Sequence, residues 1–128
     1  MSRIGFIGAL LMLAAPAAVA ADWSQARPVT VTTREYEFSP NRLVFKRGVA
    51  YRLHVENLGS EMHEFTAPAF FKAAEIRDTA VLNADKTEIE VPPGGSKDLE
   101  LIPRQAGQFP LRCSDHDWAG MTGEITVE

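Results

Sequence analysis

The chain has a single cysteine, three histidines and no run of lysine or arginine in its 128 residues. One cysteine leaves no partner for an intramolecular disulfide. Three histidines exclude centres that need many imidazoles, such as a trinuclear copper cluster or a multi-haem chain. Thirteen basic residues against seventeen acidic ones give a net charge of -4. A chain of that balance offers no electrostatic footprint for a phosphate backbone or an anionic lipid surface, so a nucleic-acid partner is not expected. There is also no internal repeat, no low-complexity tract and no interdomain linker, and 128 residues fit one domain.

Long apolar runs are missing as well, with one exception at the start. Arg3 is followed by the run Ile4 to Val19, closing on the small residues Ala18-Val19-Ala20. Gly5, Gly8 and Pro16 interrupt it, and it is short of the roughly 20 apolar residues that a span requires. It reads as a secretory signal over residues 1–20, cleaved after Ala20. The expected mature domain, residues 21–128, loses Arg3 and no acid, which takes the net charge to -5. It is expected to be periplasmic, monomeric and without a membrane anchor.

What is abundant is period-two alternation. Val29, Val31 and Thr33 alternate with Thr30 and Thr32, and Tyr51, Leu53 and Val55 with Arg52, His54 and Glu56. Leu43 and Phe45 do the same, as do the runs 87–91, 97–102, 108–113 and 123–127. Half-buried strands give this pattern. Breakers separate them at Ser39-Pro40-Asn41, Arg47-Gly48, Asn57 to Ser60 and Pro92 to Gly95. Seven or eight short strands in about a hundred residues predict an all-β, Greek-key antiparallel sandwich. Residues 68–86 are too long for a hairpin loop. Phe70, Phe71, Ala74, Val81 and Leu82 suggest a short amphipathic helix there, in a crossover between sheets. Trp23 is expected to pin the first strand.

The chemistry concentrates in Cys113-Ser114-Asp115-His116-Asp117-Trp118-Ala119-Gly120-Met121. Its spacing, C-x2-H-x4-M, puts a thiolate, an imidazole and a thioether in one nine-residue loop, and Gly120 lets that loop fold back. A soft thiolate with a thioether suits copper better than any hard cation. Of the other histidines, His54 lies mid-strand on a polar face, whereas His63 opens a strand after a turn. His63, Cys113 and His116 then make a trigonal set with Met121 as a long axial contact, the arrangement of blue-copper electron-transfer sites. A Cys-His nucleophile would need a cleft and an oxyanion hole, for which a small sandwich has little room, so the chain is not expected to be an enzyme.

At these residues the sequence resembles the cupredoxin family, the relatives of plastocyanin, pseudoazurin and azurin. The resemblance covers nearly the whole mature chain: Phe38-Ser39-Pro40 with Leu43 and Gly48, Val55-Glu56-Asn57 leading to His63-Glu64-Phe65, Val91-Pro92-Pro93-Gly94, Ala106-Gly107-Gln108-Phe109, and the terminal loop followed by Thr122-Gly123-Glu124-Ile125. It implies one type 1 copper ion near one pole, cycling between Cu(I) and Cu(II). It also implies that electrons pass at the exposed edge of His116, inside an apolar patch where we expect Trp118, Ala119, Met62 and Pro68. The expected partner is a redox protein such as a c-type cytochrome or a copper oxidase or reductase, with Glu61, Glu64, Asp115 and Asp117 placed to steer a basic one.

Two features depart from the family pattern. Glu64 stands where an asparagine is common; a carboxylate can accept from Ser114 but adds charge beside the metal, which bears on potential and colour. The 68–86 segment is longer than in minimal members and either folds over the ligand pole or covers a sheet edge. An alternative role is carriage of copper, or copper tolerance, with redox cycling incidental. The mature chain's only methionines, Met62 and Met121, form no metal-rich tract of the kind storage proteins carry.

Overall fold

The computed structural model describes residues 1, 5, 8–14 and 20–128. Half of the expected leader, including Arg3 and Ala18-Val19, lies outside the described residues. Among them, no helix is long and apolar enough to cross a membrane.

The alternating segments become ten strands among the described residues: β1 (Arg27–Arg34), β2 (Glu37–Ser39), β3 (Arg42–Phe45), β4 (Tyr51–Asn57), β5 (His63–Thr66), β6 (Ala74–Ile76), β7 (Glu88–Val91), β8 (Ser96–Pro103), β9 (Gly107–Arg112) and β10 (Thr122–Val127). They form two five-stranded sheets, ordered β2-β1-β4-β8-β6 and β3-β10-β9-β5-β7. Two of the ten, β2 and β6, go beyond the seven or eight expected. Each is three residues long, too short for a period of two to show. The sandwich is also mixed rather than purely antiparallel, because β1 lies parallel to β4 and β3 parallel to β10. Alternation reports which face a residue takes and says nothing about strand direction.

Burial follows the alternation. The inward residues Val31, Phe45, Leu53, Val55, Phe65, Ile89, Val91, Leu99, Leu101 and Ile125 have no exposed surface. Each such side chain contributes about 1.5–3 kcal/mol of burial, which makes this slab the main source of stability. Gly48 and Gly94 close turns at φ of 81° and 73°, a region other residues enter only with strain.

The 68–86 segment covers a sheet edge. Its helix, α1 (Pro68–Lys72), is shorter than the apolar pattern suggested. Pro68 presets the first turn. Phe70 then packs on Phe45 and Phe109 at 5.2 and 5.9 Å, and Phe71 packs on Phe65 at 6.0 Å. Phe109 lies four extended residues before Cys113, about 13 Å along the strand, so α1 thickens the core away from the ligand loop. β6 then pairs with β8, and Leu82 is buried beyond a 3-10 turn at Thr79–Val81. Trp23 is half-buried in a 3-10 turn before β1, with the Arg77 guanidinium over its ring at 5.9 Å.

Gly123 marks the closest approach of β10 to the chain leading into β3. A Cβ there would fall on the Asn41 carbonyl oxygen, which accepts from the Glu124 amide at 2.8 Å, and within 3.0 Å of Leu111. Gly123→Ala should therefore cost about 1–3 kcal/mol of stability. In urea denaturation the midpoint should fall with an unchanged slope; an unmoved midpoint would show that the strand yields freely.

Candidate metal centre

Three turns meet at one end of the sandwich. The first is the β1–β2 turn with Glu35 and Tyr36, the second is the loop between β4 and β5, and the third joins β9 to β10. The third is closed at its base by the Cys113 amide donating to the Met121 carbonyl at 3.0 Å. Inside it, the His116 amide donates to the Cys113 carbonyl at 3.1 Å, and the Ala119 amide donates to the His116 carbonyl at 3.0 Å. Gly120, at φ 80°, makes the reversal that returns the chain to β10.

This folding brings His63, Cys113 and His116 together. Their donor atoms all lie within 4.8 Å of one another. Cys113 Sγ is 3.5 Å from His116 Nδ1 and 4.0 Å from His63 Nδ1. Bonds of about 2.0–2.3 Å from one first-row ion to such donors place sulfur and nitrogen about 3.5–3.8 Å apart in a trigonal plane, so the spacing is already that of a metal site. Met121 is completely buried in the same loop. A thiolate, two imidazoles and a thioether fit a single copper ion.

Hydrogen bonds hold each donor. The Glu64 amide donates to Cys113 Sγ at 3.4 Å, and the Cys113 thiol donates to Glu64 Oε2 at 3.0 Å. Burial, then the Glu64 carboxylate, push the Cys113 thiol well above its ordinary range, so metal uptake at neutral pH must expel its proton. Glu64 is itself raised by burial and by neighbouring Asp115. The bond that Ser114 could give to a carboxylate at Glu64 is not formed. The Ser114 amide donates to Thr66 Oγ1 at 3.2 Å instead, while Glu64, buried and short enough to reach the sulfur, turns to Cys113.

Both histidines meet a carboxylate at their outer nitrogen. His63 Nε2 lies 3.3 Å from Glu35 Oε1, and His116 Nε2 lies 3.4 Å from Glu61 Oε2. Glu35 is held at about 2, below its ordinary 4.5, chiefly by the Glu61 amide, with its own amide, the Ser60 amide and the His63 ring adding to this against an opposing desolvation. Asn57, fully buried, organises the loop beneath: its Nδ2 donates to the Glu61 and Val91 carbonyls at 2.7 and 2.9 Å, and its Oδ1 accepts from the Gly59 amide at 2.9 Å.

The surface around His116 differs from the expectation. The His116 side chain is only 13% exposed. The Tyr36 ring lies over it at 4.9 Å, and Trp118 lies 5.9 Å from Tyr36. Trp118, 76% exposed, is pinned by its Nε1 donating to the Asp115 carbonyl at 2.9 Å, and Met62 is also exposed. Pro68 belongs elsewhere: it heads α1 and lines a separate hollow with Phe71, Lys72 and Lys86. The acidic group is partly neutralised, since Glu64 is buried and Asp117 pairs with Arg112 at 3.1 Å. His54 pairs with Asp98 across β4 and β8 at 2.8 Å, far from the cluster in register. Glu35, Tyr36 and Thr66 carry no local chemical signature that would have marked them for the site, and Asn57 is marked only as part of the Val55-Glu56-Asn57 segment and of the turn that follows, without a role in the site.

The family model described as a cupredoxin-like domain matches residues 3–127, and the chain belongs to that family. Among solved structures it is similar to auracyanin B, at 18% identity and a TM-score of 0.62 over 84% of this chain and 93% of that one. It is equally similar to dithionite-reduced auracyanin from Roseiflexus castenholzii, at 18% identity and 0.62 over 80% and 98%. The metal-binding domain of the Cu(I)-exporting P-type ATPase of Streptococcus pneumoniae, solved with Cu(I), shares the fold at 10% identity and 0.54 over 85% and 92%. No curated protein matches the sequence.

Two predictions follow from the hydrogen bonds. Thr66→Val keeps the shape but leaves the half-buried Ser114 amide without its acceptor, and should lower the apo protein's stability by about 1 kcal/mol; an unchanged denaturation midpoint would show that this tie contributes nothing. A carboxyl lowered in the folded state contributes stability that is present above its unfolded pKa and lost as pH falls through its folded value. Between about pH 4.5 and 2 the apo wild type should therefore lose stability more steeply than Glu35→Gln, and coincident slopes in a pH series of urea melts would refute this.

Proposed function

We propose that the chain is a periplasmic type 1 copper protein that carries single electrons between redox partners. In this reading His63 Nδ1, Cys113 Sγ and His116 Nδ1 would hold one copper ion, with the buried Met121 thioether of the same loop as a further donor. The observation that carries it is the thiol and two imidazole nitrogens already at metal-bond spacing, on loops tied at Cys113–Met121 and Ser114–Thr66. Bound copper would supply one-electron exchange between Cu(I) and Cu(II).

The chain's own residues supply the rest. Loops tied at Cys113–Met121 and Ser114–Thr66 would hold the donors in one geometry for both oxidation states, which keeps reorganisation small. The Glu64 amide directed at the Cys113 sulfur, together with the Met121 contact, tunes the potential. His116, Tyr36 and Trp118 make a stepwise aromatic contact from the donor cluster to the surface, where a partner docks. Glu61 and Asp115 favour a basic partner such as a c-type cytochrome. Residues 1–20 direct export and are removed, leaving 21–128 as the working domain. The cover over His116 favours one other reading, in which the same site carries copper and leaves redox cycling incidental.

Cu(II) added to the apo protein should give an intense thiolate-to-copper absorption band and a matching EPR spectrum, both lost in Cys113→Ser. Reduction and reoxidation should then be reversible with one electron per copper. Copper binding without the band would overturn the type 1 site, and a bound ion that does not cycle would leave the carrier role.

A further inference from the structure

The geometry points to Glu35 as the positioning residue that sets which nitrogen of His63 faces the metal, an inference that rests on the copper site proposed above. A neutral imidazole carries one N–H, and a metal ligand needs its lone pair on the side facing the ion. His63 is fully buried, so water does not arbitrate between the two tautomers. Its Nδ1 faces Cys113 Sγ at 4.0 Å and its Nε2 faces Glu35 Oε1 at 3.3 Å. A carboxylate only accepts, so the proton belongs on Nε2 and the Nδ1 lone pair is directed into the donor cluster.

The carboxylate is held in a built cradle. The same Oε1 accepts from the Ser60 amide at 2.7 Å and the Glu61 amide at 2.8 Å, with Ser60 Oγ at 3.5 Å. A Cβ on Gly59 would lie 2.5 to 2.8 Å from the carboxylate atoms, so only glycine leaves room for it there. Asn57 fixes this loop from below through the Gly59 amide and the Glu61 carbonyl. His116 has a looser counterpart. Its Nε2 meets Glu61 at 3.4 Å, but that carboxylate is 46% exposed and water competes for it. The site thus pairs one imidazole locked from a cradle with one held at the surface.

The test uses the full-length apo protein labelled with 15N-histidine, at a pH where the imidazoles are neutral, and Cu(I) competition titrations of the same samples. Wild-type His63 should show the Nε2–H tautomer alone. Glu35→Ala should mix in the Nδ1–H form and weaken Cu(I) binding by roughly 10–100-fold. Glu35→Gln, whose amide oxygen accepts from the same donors, should restore the tautomer and most of the affinity. Gly59→Ala, which displaces the carboxylate without removing it, should behave like Glu35→Ala, and it decides the matter if Glu35→Ala does not fold. An unchanged Nε2–H tautomer in both variants overturns the inference, and an affinity loss without a tautomer change assigns Glu35 to loop capping alone, which overturns it too. The NMR reading needs no metal. A wild type that takes up no copper would sink the functional proposal while the tautomer still decides the role of Glu35.

Discussion

Keeping a thiol and two imidazoles within bonding distance of one common centre is the constraint on which this end of the molecule depends. Burying an unpaired polar group costs about 1–3 kcal/mol, so three of them in one place would drive the loops apart unless each were paired. Beyond the contacts the donors make with one another, each has a partner from outside the set: Glu35 for His63, Glu61 for His116, and Glu64 through both its amide and its carboxylate for Cys113. No buried side-chain nitrogen or oxygen among the described residues lacks a partner.

Those pairings hold only because the loops are anchored to a stiff body. Cys113 directly follows β9, Met121 precedes β10, and His63 opens β5, a strand buried at every position between β7 and β9. A shift of one residue in β5 would turn His63 to the opposite face and abolish the cluster, so the register of that strand is a functional quantity. The aromatic packing of Phe70 and Phe71 on Phe45, Phe109 and Phe65 supports β5 and β9 from the far side of the core. In this way the 68–86 segment acts on the site by stiffening the strands that carry it, without covering the ligands.

Sequence alone made visible what is local. The Cys113 to Met121 loop holds three soft donors in nine residues, and its spacing needs no fold to be recognised; His63 could be chosen over His54 because one opens a strand and the other sits on a polar face. The long strands were equally plain from their alternation. Relations across the chain were not. Glu35 and His63 are 28 residues apart, and Thr66 and Ser114 are 48 apart, so nothing near either residue signals the contact. Tyr36 reads as an ordinary turn residue until the β1–β2 turn is seen to fall beside His116. The parallel pairs β1·β4 and β3·β10 escaped for the same reason, since alternation fixes a face but not a direction.

The cover over His116 changes how an electron would leave. An exposed imidazole edge would let a partner approach the ligand directly; here Tyr36 and Trp118 extend the route by one or two rings. Glu61 bridges the two halves of this arrangement, since its carboxylate meets His116 Nε2 and accepts from the Tyr36 hydroxyl, which raises that phenol above its ordinary range. The Tyr36 ring is tilted 38° to His116 and 51° to Trp118, so it joins the two by edge-and-face contact. In the proposed electron-transfer role the docking surface would be the exposed face of Trp118 rather than the largely covered histidine, and a partner would meet an aromatic contact beside Glu61 and Asp115.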